Sequence, residues 1–448
     1  MGRARHTLLG LLALLGPLGA CARPAPAARP AGLVAAPATS PPRPAACTEV
    51  PPGAALQAAL DQAADGAALC LSPGSYAGPI TVSRGQTLYG PREAVITSRG
   101  QDTTARLRGR GARLLGLTID GSGRRFDRMD AAVHAEGEDL QVIGVRVRGA
   151  MFGLLVDRSR RALLRDNEVH GTPEAAFGLR GDGIRFWETS DSAIEGNYVE
   201  HSRDLVIRYS HRNRITGNTV TTGRYGLHLM YSNDNQISDN RSVGNVVGTF
   251  LMYSRNVRLQ KNLLAASSGA AGIGLGIKES GNLLVEDNVL VGNTTGAYLD
   301  TTPLYVDDNN VFQRNQFRLG DTGVVFHSSQ QRNRFLDNSL RDNQHQVRVE
   351  GGGDALGVEW AGNDFDDYAG FDLNGDGVGD VPYELHSLSG ELTSRFPDLS
   401  YFRGTPALSL VDAVSHILPL FQPRPILIDR RPRMAPRPAN PLEVAHAR

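Results

Sequence analysis

The sequence predicts an all-β chain wound as a right-handed parallel β-helix, and three observations predict it. A motif of the form [Gly/Asp/Arg/Lys]-Asn-x-apolar recurs at Asn167, Asn197, Asn218, Asn240 (with Ser242 in the last place), Asn262, Asn288, Asn315, Asn338 and Asn363, at spacings of 30, 21, 22, 22, 26, 27, 23 and 25 residues. A second series, Gly153, Gly183, Asp204, Gly226, Gly248, Gly274, Gly296 and Gly323, advances with it, and each member opens a short alternating segment. Each unit, about 22 residues long, holds two or three strand-like runs and leaves no room for a helix. Units this short cannot bury a face alone, so they must stack into a solenoid. A chain of 448 residues would suggest about three domains on length alone; the repeat replaces that estimate with one solenoid. An α/β barrel would need helical stretches between the strands, and these are missing.

Composition agrees. Aromatics make up 6% of the chain against 51 Gly and 25 Pro, a profile suited to turn-rich β structure. No asparagine precedes Asn167, yet nineteen fall between it and Asn343, which marks the repeat itself. Lys and Arg together number 47 and so do Asp and Glu, so nothing global points to a nucleic-acid partner.

The elements follow in chain order. Residues 1–20 read as a secretory signal: a basic start, an apolar run from Thr7 to Gly16, and Leu18-Gly19-Ala20-Cys21, a lipobox with Cys21 as the lipidated residue. The apolar run is too short to span a bilayer, whereas a diacylglyceryl thioether anchors stably to the membrane. Residues 21–46, rich in Pro and Ala, form a semi-rigid tether. Cys47 and Cys70, an even pair in an exported protein, suggest one disulfide. Leu56 and Leu60 lie on a short helix between Pro52-Gly53 and Gly66 that caps the open end of the stack. Ala68–Leu71, Ile80–Val82, Ala94–Ile96 and Leu114–Leu117 are the first rungs, and the solenoid is expected over 47–385.

Within the rungs, the first and third residues after each Gly (or Asp204) are apolar and point inward, as in Ile184/Phe186, Leu227/Leu229 and Val324/Phe326. The recurring Asn fits the bends through its tolerance of the left-handed conformation, and stacked copies form amide ladders. Beyond the rungs, 386–425 is expected to be a helical extension. Its helix starts at Thr405-Pro406 and is apolar over a wide arc. An extended Arg/Pro-rich tail, 426–448, follows.

Inward positions are taken by packing, so function is sought on the outer ones. The fourth residue after each opening position gives an exposed column, Asp157, Trp187, Arg208, Met230, Met252, Lys278, Asp300 and His327. The second gives its neighbour, Arg185, Val206, His228, Phe250, Gly276, Tyr298 and Val325. Met230 and Met252 belong to an identical Leu-Met-Tyr-Ser tetrapeptide one rung apart, which places the sulfurs about 5 Å apart along the stack. His228 shares their face. Thioether plus imidazole is a soft ligand set suited to Cu(I); the same apolar face could instead dock a partner or pack under a loop. Tyr209, Tyr231 and Tyr253 form a further column at the strand ends. Separately, Asp372, Asn374, Asp376 and Asp380 stand at positions 1, 3, 5 and 9 of a calcium-loop spacing with Gly377 at position 6. Tyr383 replaces the usual glutamate at position 12, and the alternative is a self-bonded Asx turn.

These residues resemble a known family. The rungs around Gly183 and Asp204, Gly226-Leu-His-Leu-Met-Tyr-Ser-Asn-Asp-Asn235 and Gly248-Thr-Phe-Leu-Met-Tyr-Ser254 are similar to the NosD family. So is the segment Trp360–Tyr383 with its Asp/Gly-rich signature, followed by a helical region from Phe396 to Leu420. The solenoid alone, of the pectin-lyase-like kind, is shared by many proteins; the Asp/Gly-rich signature makes the likeness specific. The resemblance implies a periplasmic accessory protein, not an enzyme, that works with the permease and ATPase of an ABC transporter. It would help supply copper or sulfur to the copper–sulfide centre of nitrous-oxide reductase, alongside a copper chaperone. The lipobox departs from the many secreted relatives: lipidated, the chain is expected in the periplasm or on the outer surface of the cell membrane, whereas ordinary cleavage after Ala20 would leave a soluble protein. The competing class is a carbohydrate-binding or carbohydrate-active β-helix, a lyase or epimerase. Such enzymes need a cleft with carboxylates at defined separation. Here the acidic pairs Asp307-Asp308 and Asp366-Asp367 are adjacent in sequence and expected to diverge.

Overall fold

A computed structural model describes residues 40–172, 174, 176–269, 271–328, 331–351, 353–388, 391–392, 396–402, 405–417 and 424–436. The signal, Cys21 and most of the tether lie outside the described residues. From Thr48 onward the chain winds through three parallel sheets of fourteen, thirteen and twelve strands, here sheets 1, 2 and 3 in the order each rung visits them. One rung shows the pattern: Arg214–Thr216 in sheet 1, Thr219–Thr221 in sheet 2, Tyr225–Met230 in sheet 3. The architecture is the parallel β-helix that the repeat predicts.

Every rung contributes inward side chains to one continuous core. Ile194, Ile215, Ile237, Leu259, Val285, Phe312, Phe335 and Trp360 stack along sheet 1. The rings of Phe312, Phe335 and Trp360 lie 4.5 and 4.6 Å apart. Each such burial is worth about 2 kcal/mol in transfer terms. The inward pairs of sheet 3, from Ile184/Phe186 to Val324/Phe326, are buried in the same core.

The asparagine repeat does something other than bend the chain. The left-handed residue is the one before each ladder asparagine: Asp166, Gly196, Gly217, Asp239, Lys261, Asp287, Arg314, Asp337 and Gly362 all have positive φ. The asparagines themselves point inward and are buried. Each amide nitrogen donates to the oxygen of the next rung's asparagine at 2.8–3.0 Å from Asn167 to Asn363. Each oxygen also accepts a backbone N–H from the preceding rung, as Asn262 does from Asn240. The motif therefore splits into a turn residue and a ladder residue. Buried amides persist because every donor and acceptor is used.

Both ends of the stack are covered. The helix Leu56–Gln62 buries Leu56 and Leu60 over the first rungs. Its last carbonyls accept hydrogen bonds from Arg84 and Gln86, which satisfies groups the helix end leaves open. Cys47 and Cys70 are joined in a disulfide beside the pairing of Thr48–Val50 with Ala68–Leu71. At the far end, a 3₁₀ turn (Pro397–Phe402) and a helix (Pro406–Ile417) precede strand Pro425–Asp429, which pairs antiparallel with Tyr383–His386. The Arg/Pro-rich region is thus not simply a tail. Leu427 is fully buried, and Asp429 takes the place of a further ladder asparagine, accepting from the backbone and amide nitrogens of Asn363.

Candidate functional site

The outer columns of sheet 3 form in the register that the repeat implies. Asp157, Trp187, Arg208, Met230, Met252, Lys278, Asp300 and His327 are successive partners, as are Arg185, Val206, His228, Phe250, Gly276, Tyr298 and Val325. Their exposure departs from expectation. Asp157, Arg185, Val206, His228 and Val325 are buried although they face outward. The physical reason is lateral cover. Met129 and Phe126 fold over the lower rungs, with the Phe126 ring 5.2 Å from Phe152 and the Met129 sulfur 2.6 Å from Arg185 Nη1.

At the middle rungs, His228, Met230 and Met252 come together. Met230 and Met252 are direct partners on adjacent strands, and His228 Nε2 lies 3.5 Å from Met252 Sδ. The imidazole is held in an aromatic corner, 4.5 Å from the ring of Tyr225 and 6.5 Å from that of Phe250. Its other nitrogen, Nδ1, has no hydrogen-bond partner among the described residues and faces Asp204 Oδ2 at 3.8 Å. Burial alone would raise the Asp204 carboxyl. The His228 imidazole and the Arg224 guanidinium outweigh it and hold that carboxyl below the usual range. Asp204 thus stands on the Nδ1 side of the ring, and the Met252 sulfur on the Nε2 side. The imidazole nitrogen meets the Met252 thioether, and Met230 is Met252's partner on the adjacent strand, a soft set of donor types.

One rung group lower, a second polar centre went unforeseen. Asp157 accepts from Arg185 Nη2 at 2.8 and 2.9 Å and sits 3.0 Å from His134 Nε2. Burial pushes its carboxyl up, but His134 and Arg185 hold it below the ordinary range. Only an Asp and an Arg in neighbouring outer columns hinted at it; the covering segment around Phe126 has no repeat signature.

The calcium-like loop is built differently from its spacing. Asp372 accepts the N–H groups of Gly375 and Gly377, Asn374 that of Asp376, Asp376 that of Val378, and Asp380 that of Leu373. The side chains are spent on the loop's own backbone, as Asx turns. No group of three or more His, Cys, Asp or Glu among the described residues is placed to hold a metal ion. The loop takes the self-bonded Asx arrangement, and nothing among the described residues supports a calcium site there. Within the two acidic pairs, Asp308 binds Arg255, Asp366 accepts from Gln346, and Asp367 from Tyr383.

Comparison with known proteins fits this geometry. A family model described as "Periplasmic copper-binding protein (NosD)" matches residues 166–370, the span that contains the methionine rungs. A probable ABC transporter binding protein NosD from Stutzerimonas stutzeri is 28% identical over 381 residues, 81% of this chain and 86% of that protein. Its counterpart from Pseudomonas aeruginosa is 27% identical, over 83% and 89%. Among solved structures, the chain resembles PfbA, a surface adhesin of Streptococcus pneumoniae, with TM-score 0.54 at 14% identity over 66% of this chain and 90% of that one. It also resembles the catalytic domain of an α-1,3-glucanase, with TM-score 0.51 at 12% identity over 72% and 69%. These two likenesses are of fold alone. The family match and the two long alignments show that this chain is similar to proteins of the NosD family over most of its length.

Proposed function

We propose that the protein is an exported accessory of an ABC transporter that handles copper for the copper–sulfide centre of nitrous-oxide reductase and catalyses no reaction of its own. Copper is its cargo, received from a chaperone and contacted at His228, Met230 and Met252. The observation that carries this reading is the approach of His228 Nε2 to Met252 Sδ, 3.5 Å, on the face where Met230 pairs with Met252. Soft thioethers with an imidazole select Cu(I) over harder cations. Placement behind a buried carboxylate orients the ring as in carboxylate–histidine–metal arrangements. The likeness to the NosD family supports the periplasmic and transporter-linked part, and lipidation at Cys21 would keep the domain beside its membrane partners. The engagement of the paired aspartates by Arg255, Gln346 and Tyr383 supports the non-catalytic part.

The test is a Cu(I) competition titration of the intact domain against the Met230→Leu/Met252→Leu double variant. Leucine conserves volume, so the fold is kept. The expected result is a loss of affinity of at least about tenfold, or ~1.4 kcal/mol. Equal affinity in variant and parent would remove the site.

A further inference from the structure

Beside the methionines runs a column of aromatic rings whose arrangement the fold does not require. Trp187 meets Tyr209 edge-on at 5.4 Å, Tyr209 stacks on Tyr231 at 5.2 Å, and Tyr231 stacks on Tyr253 at 4.7 Å with the planes 8° apart. The Arg208 guanidinium lies over both Trp187 and Tyr209, at 4.8 and 5.2 Å. All three tyrosines have left-handed backbone, with φ of 50, 51 and 53°, which costs a bulky residue about 1–2 kcal/mol. The turn does not ask for an aromatic there: the same position holds Glu188 below and Glu279, Thr301 and Ser328 above, also at positive φ. Two of the tyrosines directly follow Met230 and Met252 in the chain, and the column does not extend to the rungs above. None of the three phenol oxygens has a hydrogen-bond partner among the described residues, so each hydroxyl proton is free to leave to solvent.

A thioether oxidised to sulfoxide ceases to be a soft donor. We propose that the Trp187–Tyr209–Tyr231–Tyr253 column is a sink for oxidising equivalents that spares Met230 and Met252, and that Tyr231 and Tyr253 are a site of dityrosine formation. The inference rests on the copper reading only for the source of the oxidant, the hydroxyl radical made when Cu(I) reduces hydrogen peroxide to hydroxyl radical and hydroxide. That radical takes one electron from a thioether sulfur and becomes hydroxide. The adjacent phenol returns an electron to the sulfur radical cation and gives its O–H proton to the hydroxide, leaving water, an intact thioether and a neutral tyrosyl radical. Two such radicals on stacked rungs couple through ring carbons ortho to oxygen, and the displaced ring hydrogens move to the oxygens. Overall, two phenols and two hydroxyl radicals give one dityrosine and two waters.

The experiment exposes the copper-free protein to hydroxyl radicals from radiolysis of water and, in a second arm, the Cu(I)-treated protein to hydrogen peroxide. Peptide mass spectrometry reads both products. The comparison variant is Tyr209→Phe/Tyr231→Phe/Tyr253→Phe, which keeps every ring but has no phenolic proton to lose, and a melting curve confirms its fold. The parent should yield a Tyr231–Tyr253 cross-link. The variant should yield none, and should show at least a threefold rise in sulfoxide at Met230 and Met252. Met434, 38% exposed and at the far end of the solenoid, should oxidise equally in both. Absence of the cross-link in the parent, or equal sulfoxide at Met230 and Met252 in parent and variant, overturns the proposal. If the copper arm oxidises these methionines no more selectively than radiolysis does, the copper reading fails while the radiolysis result stands on its own.

Discussion

Two segments of this protein carry ligand-like spacing, and the structure treats them in opposite ways. Asp372 to Asp380 collects its oxygens from one short stretch, and that closeness lets each side chain reach a backbone N–H within the same loop. His228, Met230 and Met252 come from two rungs, where the neighbouring backbone groups are already consumed by sheet pairing. His228 faces Met252, and its Nδ1 has no hydrogen-bond partner among the described residues. A local motif of Asp, Asn and Gly satisfies itself; a constellation assembled through register keeps its donors available.

The largest expected effect tests what holds that register. Asn262→Leu removes a side chain that accepts from the backbone and amide nitrogens of Asn240 and donates to Ile237 O and Asn288. With several buried polar groups left unpaired, the loss should be about 3–5 kcal/mol in a urea unfolding curve. Misaligned rungs should weaken copper binding with it. A loss below ~1 kcal/mol would mean that apolar stacking alone sets the register.

Next in size is Asp204→Asn, which removes the carboxylate behind His228 while keeping its shape. Cu(I) affinity should fall about tenfold, read by the same chelator competition, with Asp372→Asn as the unaffected control. The same change bears on acid stability. Asp204 is held below the usual carboxylate range in the folded protein. Its contribution is therefore complete above the unfolded value of about 4 and lost as pH falls through the lower folded value. Thermal melts of the parent should decline more steeply than those of Asp204→Asn in that acid window; parallel curves would show that the carboxylate is not held by its partners.

Smallest of all, Asp372→Ala should cost about 1 kcal/mol, since it frees two exposed N–H groups that water can serve. Millimolar calcium should leave the melting temperature unchanged. A clear upward shift would restore the loop as a cation site and erase the contrast with the methionine face.

Much of this was legible in the chain. The Asn and Gly series set out the rungs, and the duplicated Leu-Met-Tyr-Ser pointed to Met230 opposite Met252. The final serines of those tetrapeptides carried a further message that went unread: Ser232 Oγ accepts from Ser210 N, and Ser254 Oγ from Ser232 N, a second ladder that pins the turn after the methionines. The Asp157–Arg185–His134 centre was hidden because its cover, Phe126 and Met129, lies in an insertion without periodicity. Asp429 was hidden because its role depends on a strand that returns from beyond the helical extension.

By itself the sequence determined the repeat, the inward apolar stacks, the outer columns and their register, because a strand period of two and a short repeat length leave one economical way to bury so many apolar residues. Only the tertiary structure decided which outward residues are covered, which of the paired motif residues bends the chain, and which ligand-like groups stay free. Those outcomes depend on side chains from distant segments and on whether a nearby backbone group is already hydrogen-bonded, and no spacing rule records either.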